Sequence, residues 1–332
     1  ADCQFGFKPE IGCQHAIHTL KNVIDRFVNG GDTVNVLALD VSKAFPSVNH
    51  LSLLSKLLER GLPSYLVDLF ELWLRHATSR VKWRNAISME FSMRVGLNQG
   101  SVLAPALFAI FIDDILIEIN RSCDVIAVGY ADDILILTRS WSKLQTAFNI
   151  VERKLNALNL FLNVKKCMCL RIGPRFKKPC SSLVSVLGTP VDHVSEMRYL
   201  GIYLVAGRSF RVSTTKAHCK FSRAVNSIFS KLLGHANESV IVFLIKMKCL
   251  PILLYGTEVV GLNASALHSL DFFVIRFGMK LFRTSSRNIV VDSFSAMGLL
   301  LPSALIPQRY TRFKLRAIDV ENMFFKRYSD VY

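Results

Sequence analysis

The sequence has no C-x₂-C pair matched by a pair of histidines. Its eight cysteines are scattered, with Cys167 and Cys169 one residue apart and Cys180 on its own. That spacing does not suit a zinc site, and the scatter predicts buried thiols in a reducing compartment. No basic stretch followed by an apolar one opens the chain, so no secretion signal is expected, and the expected location is intracellular, nuclear and/or cytoplasmic. One run, Val95 to Ile112, is uncharged for 18 positions, but it contains Asn98, Gln99, Gly100, Ser101 and Pro105. Those residues argue against a membrane span and for a turn feeding a buried helix. There is no internal repeat and no low-complexity tract. Charged residues are few, 20% against 51% hydrophobic, which excludes a disordered chain and is enough for two or three compact units in 332 residues.

The charge that is present is unevenly placed. Residues 1–120 hold 11 basic and 12 acidic residues, whereas the rest hold 30 and 13, so the whole net charge of +16 arises beyond residue 120. Such a skew fits a surface for a polyanion, and equally a solvated basic face.

Periodicity gives the order of elements. Ala16, Ile17, Leu20, Val23, Ile24 and Phe27 have helical spacing, and Asn29-Gly30-Gly31-Asp32 ends that helix. Thr33 to Leu39 is β-branched and apolar, a buried strand ending at Asp40. Residues 50–76 read as two helices split at Gly61-Leu62-Pro63-Ser64, Arg80 to Phe91 as short hairpin strands, and Ser101 to Ile119 as a buried helix. Two apolar runs, Val125–Val128 and Ile134–Leu137, flank Gly129-Tyr130-Ala131-Asp132-Asp133 and predict a β-hairpin with acids at its turn. An amphipathic helix over 141–159 follows, then strands around Lys166–Ile172 and Tyr199–Leu204. Beyond about Gly207 the pattern becomes helical and basic, which suggests a domain boundary.

Asp40 and the pair Asp132–Asp133 stand at the ends of buried strands, where a carboxylate is costly unless something is bound to it. If those strands are neighbours, the acids face each other and suit two divalent ions about 4 Å apart, the spacing of in-line phosphoryl displacement. A bare Asp-Asp pair is more often a plain turn. Asp113–Asp114, with Glu118 one helical turn on, is expected to be a solvated helix face.

The acids lie within longer motifs. Leu39-Asp40-Val41-Ser42-Lys43-Ala44-Phe45, Gly96-Leu97-Asn98-Gln99-Gly100-Ser101-Val102-Leu103-Ala104-Pro105 and Tyr130-Ala131-Asp132-Asp133 resemble three successive catalytic motifs of reverse transcriptases. Gln4-Phe5-Gly6-Phe7-Lys8 resembles an upstream fingers motif. Leu162-Asn163-Val164-Lys165-Lys166 and Arg198-Tyr199-Leu200-Gly201-Ile202 resemble the two motifs that follow the acids. Six motifs in order over residues 4–204 are far more specific than any one alone, and their wording is nearest to non-LTR (LINE-type) retrotransposon enzymes.

The resemblance implies an α+β right-hand polymerase: fingers from 1–32 and 51–98, an antiparallel-sheet palm backed by helices from 33–50 and 99–206, and a helical thumb with the C-terminal region from 207–332. It implies RNA-directed DNA polymerase activity with two Mg²⁺ ions, for which Mn²⁺ may substitute. RNA template, DNA primer and deoxynucleoside triphosphates would be the partners, with no membrane.

By the same resemblance Asp40, Asp132, Asp133 and the carbonyl of Val41 would bind metal, and Phe45 would be a steric gate against a 2′-hydroxyl. Gln99 would lie against the templating base pair, with Gly96 and Gly100 allowing close approach of the backbone. Lys8 would reach the triphosphate and Lys166 the pyrophosphate. Tyr199, Leu200 and Gly201 would grip the primer. Lys216, Lys220, Arg223, Lys231, Lys246 and Lys248 would follow the phosphates of a duplex, while Phe221, Ile228, Leu232 and Leu233 would be core.

Three positions depart from the family pattern: Pro46 where Asp is usual, Asn98 where Pro is usual, and Lys8-Pro9 where an Arg normally stands. They leave open a catalytically decayed, nucleic-acid-binding remnant of a retrotransposon polyprotein. A third reading, an RNA-dependent RNA polymerase, is disfavoured by Phe45.

Overall fold

A computed structural model describes residues 1–121, 125–232 and 234–329. Leu233 and the last three residues of the expected thumb lie outside the described residues. The N-terminal helix α1 (Cys13–Asn29) buries Ala16, Ile17, Leu20, Val23 and Ile24, as its apolar spacing requires, and ends at Gly30, with Gly31 following at φ 82°. Strand β1 (Val34–Leu39) follows, and the short β2 (Val41–Ser42) leads into a 3₁₀ turn, Phe45–Ser47. Two helices come next, α2 (His50–Glu59) and α3 (Ser64–Arg75). Four two-residue strands then build a hairpin arm: β3 (Thr78–Ser79) pairs with β6 (Phe91–Ser92), and β4 (Lys82–Trp83) with β5 (Ala86–Ile87).

Helix α4 (Ala104–Arg121) starts three residues later than the apolar run suggests, because the Ser101 N–H is taken by a turn to the Asn98 carbonyl. Strands β7 (Val125–Tyr130) and β8 (Asp133–Thr138) form the expected hairpin, followed by α5 (Trp141–Ala157), β9 (Phe161–Leu162), β10 (Met168–Ile172) and β11 (Asp192–His193). Where one strand is expected at Tyr199–Leu204, a hairpin stands instead: β12 (Glu196–Tyr199) and β13 (Ile202–Val205), turning at Leu200–Gly201. Both turn residues have positive φ, 42° and 87°, the combination that matches the twist of a tight hairpin.

Among the described residues the central sheet has the order β11-β10-β1-β8-β7. It is antiparallel except for the short edge pairing of β10 with β11. Both faces are covered. Leu37, Leu39, Ala127, Ile134 and Ile136 pack under α2, α4 and α5, while the alternate residues Val34, Val36, Val128, Leu135 and Leu137 pack under α1. Burial on both sides is why these strands read as continuous apolar runs.

The remaining elements are helical: α6 (Thr215–Leu232), α7 (Glu238–Leu244), a π-turn (Ile245–Cys249), α8 (Leu250–Leu253), α9 (Thr257–Val260), α10 (Ala264–Leu281), α11 (Arg287–Ala296), α12 (Pro302–Ile318) and α13 (Met323–Tyr328). Helices α6 to α8, α10 and α11 share a core of their own around Phe221, Phe229, Phe277 and Phe294. The last two helices return to α1, where Phe313 and Phe325 enclose His15 and His18. On α6, Phe221 is buried and Ile228 and Leu232 pack against the core, while Lys216, Lys220, Arg223 and Lys231 form an exposed stripe; Lys246 and Lys248 of the π-turn are also exposed.

Two sequence expectations are corrected. Asp113 is not solvated: it is 5% exposed and meets Arg60 at 3.6 Å and the ammonium of Ala1. Asp114 pairs with Lys56 at 2.6 Å and Arg60 at 2.8 Å, so the two acids tie α4 to α2. Nor are all thiols buried, since Cys180 and Cys219 are exposed.

Candidate active site

Strand β1 pairs with β8 in the register Ala38↔Leu135 and Leu39↔Ile134, so the next residue, Asp40, comes beside Asp133. Strand β7 pairs with β8 up to Tyr130↔Asp133, which leaves Ala131 and Asp132 as the turn. Asp40 and the pair Asp132–Asp133, far apart in sequence, thus come to one edge of the sheet. The Asp133 carboxyl is held above its usual range, first by partial removal from water and then by the negative charges of Asp132 and Asp40, with Arg198 opposing. Lys166 Nζ stands 3.8 Å from Asp40 Oδ2 with its side chain 68% exposed.

Backbone bonds fasten the neighbouring motifs to Asp40. The Asn163 N–H donates to the Asp40 carbonyl at 2.8 Å, and β2 pairs with β9 through Val41↔Leu162. The N–H groups of Gly96 and Leu97 donate to the carbonyls of Val48 and Phe45 at 2.8 and 2.9 Å. A Cβ on Gly96 would lie 2.6 Å from the Pro46 carbonyl oxygen, so only glycine allows this approach. Gly100 differs: open space surrounds it, and its requirement is a φ of 91°. Gln99, beside it, is exposed. Phe45 is half-buried, stacked on Phe108 with ring centroids 4.4 Å apart and edge-on to Phe7 at 6.5 Å. Lys8 is engaged locally, its Nζ 2.6 Å from the Ala1 carbonyl.

A residue to which the sequence reading gave no role holds the acidic turn. Ala131 has φ 55°, an uncommon backbone for a residue with a Cβ. Gln4, 1% exposed, grips it on both sides. Its Oε1 accepts the Ala131 N–H at 2.9 Å, and its Nε2 donates to the Ala131 carbonyl at 3.3 Å. The same Oε1 accepts the Gly6 N–H, and a Cβ on Gly6 would lie 2.4 Å from Ala131 N. The signal was a polar Gln4 between the apolar Cys3 and Phe5, two residues before Gly6; its partner, 127 residues away, was not legible.

On the far side of the acids, Tyr199 is 3% exposed and its hydroxyl finds no hydrogen-bond partner among the described residues. Burial, then the charge of Asp133, holds that hydroxyl protonated. Tyr199 is therefore a core residue, whereas Arg198, Leu200 and Gly201 of that motif reach the surface. Tyr255, following α8, donates its hydroxyl to the Leu200 carbonyl at 2.9 Å, and its ring occupies the place of a Gly201 side chain.

The family described as reverse transcriptase (RNA-dependent DNA polymerase) matches residues 2–204. The chain belongs to the reverse transcriptase family. Its relatives include polymerases of mobile and retrotransposable elements. It is 28% identical over 277 residues to the RNA-directed DNA polymerase from mobile element jockey of Drosophila melanogaster, covering 79% of this chain and 30% of that protein. It is 24% identical over 268 residues to a Pol polyprotein from a type-1 retrotransposable element R2 of Popillia japonica, covering 76% and 43%. The chain thus spans about 30% of the length of the jockey polymerase. A solved telomerase from Candida tropicalis aligns with 95% of this chain and 56% of its own, at 13% identity and a TM-score of 0.46, too distant to bear on the site.

Reverse transcriptases use divalent metal ions, and the donor set suits one: three carboxylates, all hard oxygen ligands, with mutual repulsion that a cation relieves. Among the described residues no three His, Cys, Asp or Glu side chains are gathered closely enough to enclose an ion by themselves. Among the described residues no helix is long and apolar enough to cross a membrane.

Proposed function

We propose that this chain is the polymerase part of a LINE-type reverse transcriptase, extending a DNA primer on an RNA template with deoxynucleoside triphosphates. The observation that carries this reading is the meeting of Asp40 with the Asp132–Asp133 turn at one edge of the sheet, each strand end fixed by backbone bonds. In this reading fingers, palm and thumb fall at 1–32 with 51–98, at 33–50 with 99–206, and at 207–332.

Asp40, Asp132 and the Val41 carbonyl are the ligands for two Mg²⁺ ions, for which Mn²⁺ can stand in, and Asp133 supports them electrostatically. The bound ions supply activation of the primer 3′-hydroxyl and charge neutralisation at the triphosphate. Phe45, stiffened by its stack on Phe108, excludes the ribose 2′-hydroxyl. Gln99 lies against the templating base. Lys166, exposed next to Asp40, receives the pyrophosphate charge or hands it a proton. Lys8, bonded here to the Ala1 carbonyl, leaves that bond to meet the triphosphate. Leu200 and Gly201, braced by Tyr255, hold the primer end. The exposed lysines of α6 follow the duplex phosphates without reading sequence.

The test is extension of a labelled DNA primer on RNA, with and without Mg²⁺ or Mn²⁺. Metal-dependent extension supports the proposal. A soluble preparation that binds template–primer yet extends it with neither ion is the decayed remnant instead.

A further inference from the structure

At the end of the sheet away from the acids, α1, α4, α13 and the edge strand β7 line a cavity of about 470 Å³. Cavities of roughly 300–1,000 Å³ take one small molecule. Strand β7 sets its distance from the catalytic turn. Val125, the first residue of that strand, lines the cavity, and Tyr130, the last, leads into Ala131 and Asp132. At about 3.3 Å per residue the two ends of the strand lie roughly 17 Å apart. The cavity is therefore a separate place from the acidic turn.

Its charge is of one sign. Arg26 of α1, Arg121 of α4 and Arg327 of α13 line it, and no Asp or Glu does. All three are exposed, and none of their guanidinium groups forms an ion pair among the described residues. Asp25, next to Arg26 in sequence, is taken by Lys21 at 2.8 Å. Asn120 also lines the cavity but has its amide engaged. Its Nδ2 donates to the carbonyls of Leu116 and Ala127, both at 2.9 Å, and its Oδ1 accepts the Ala127 N–H at 3.0 Å. The polar side chains left for a ligand are three guanidinium forks and the Tyr328 hydroxyl. Such a set calls for several anionic oxygens in one group, and a phosphate can meet a guanidinium through two bonds at once.

Flat rings stand beside this charge. Phe27, Phe324 and Tyr328 line the same cavity. The rings of Phe324 and Tyr328 have centroids 5.0 Å apart, and Arg327 lies over the Tyr328 ring at 5.5 Å. Helix α13 is anchored, which keeps the rings in place. Asn322, just before it, donates to the Asp2 carbonyl at 2.9 Å, Phe325 is buried, and Phe324 meets Phe5 edge-on at 6.3 Å. A carboxylate, as on an acidic peptide, would use the arginines and leave the rings idle. A nucleotide uses both, its phosphate the guanidinium forks and its base the ring faces.

We propose that this cavity is a nucleotide site remote from the catalytic acids, in which Arg26, Arg121 and Arg327 hold a phosphate and Phe324 and Tyr328 face the base. A free nucleotide and a nucleotide within an RNA strand share that chemistry, and the test separates them. The proposal stands apart from the polymerase reading, because it uses none of the residues assigned there and needs no metal. The probes are AMP, adenosine, inorganic phosphate, an oligo-glutamate peptide and the RNA trinucleotide pApApA. Each is titrated into the whole chain by calorimetry in EDTA, which removes the divalent ions on which triphosphate binding at the acids would rely.

AMP is expected to bind about tenfold more tightly than phosphate or adenosine alone. Replacing Arg121 and Arg327 together with Ala should weaken AMP about tenfold or more at an unchanged melting temperature, while Lys at both positions recovers only part, since a point charge lacks the fork. Tyr328→Leu should shrink the preference for AMP over phosphate and leave phosphate affinity alone. If the trinucleotide binds about tenfold more tightly than AMP, and loses that in the double Ala variant, the site belongs to an RNA strand; equal affinities assign it to a free nucleotide. Absence of AMP binding overturns the proposal. So does phosphate or oligo-glutamate binding as tightly as AMP, which makes the cavity a general anion or acidic-peptide site, and so does AMP affinity unchanged in the double Ala variant. The double variant should extend primers like the unaltered chain. A chain that binds AMP through these arginines but never extends a primer refutes the polymerase reading and leaves the nucleotide site standing; one that extends primers but binds no AMP refutes the nucleotide site alone.

Discussion

Gln4 and Ala131, 127 residues apart, are joined by a two-way amide contact, Ala131 N–H to Gln4 Oε1 at 2.9 Å and Gln4 Nε2 to the Ala131 carbonyl at 3.3 Å. The contact fixes the one strained residue of the turn that carries Asp132. Residues held at uncommon φ cost about 1–3 kcal/mol and persist where the surroundings over-determine them. Gln4→Ala leaves the N–H groups of Gly6 and Ala131 buried without their acceptor, a loss of about 1–3 kcal/mol. The expected result is a lower melting temperature and at least a tenfold fall in kcat with template–primer affinity little changed. Gln4→Glu keeps the acceptor and should recover more stability than activity. If Gln4→Ala extends primers at the normal rate, the turn holds itself.

Asp132→Asn should abolish extension while duplex binding stays within about threefold, because the exposed α6 lysines proposed to meet the phosphates lie on another element. Filter binding beside the extension assay separates the two. Joint loss of both would mean that Asp132 holds the fold.

Phe45→Ala removes the ring that stacks on Phe108 and meets Phe7. Incorporation of ribonucleotides relative to deoxyribonucleotides should rise by an order of magnitude or more. The ratio of kcat/KM for the two sugars is the measurement, and an unchanged ratio would make Phe45 an ordinary core aromatic.

His15, between Phe313 and Phe325, gives a pH dependence of stability. Burial, helped by the positive charges of His18 and Arg316, pushes its pKa down from 6.5 to about 4. The unfolded chain therefore binds a proton below 6.5 that the folded chain refuses until about 4. Stability is complete above 6.5 and declines as the pH falls through that window, by at most about 3 kcal/mol. Denaturant midpoints at pH 7 and pH 5 should show the decline, and it should be smaller in His15→Phe. Equal slopes in the two proteins would assign the effect elsewhere.

The placement of Asp40 and Asp133 at neighbouring strand ends was legible because each is flanked by a run that only a buried strand explains: Val34–Leu39 before Asp40, and Ile134–Leu137 after Asp133. Period-two burial on a sheet covered on both faces leaves such runs uninterrupted, and the helices α1, α4 and α5 appear in the same way from their spacing. What failed to show are pairings that depend on geometry across the chain. Asp113 looked like a surface acid because nothing near it in sequence announces Arg60. Tyr199–Leu204 looked like one strand because Leu200 hides a turn that usually advertises itself with Asn or Gly at both central positions. The grip of Gln4 on Ala131, and of Tyr255 on Leu200, joins residues too far apart for any periodicity to reveal.

The central claim, that Asp40 and the Asp132–Asp133 turn hold cations in common, is open to a direct chemical measurement. Fe²⁺ exchanged into a divalent site reacts with added hydrogen peroxide, with ascorbate to regenerate it, to give hydroxyl radicals that cut the nearby backbone, and the fragments are sized by mass spectrometry. The predicted result is scission at both residues 40–41 and 131–133, suppressed together by excess Mg²⁺ and lost together in Asp132→Asn. Cutting at only one of the two segments, or at both with no response to Mg²⁺, would contradict the account.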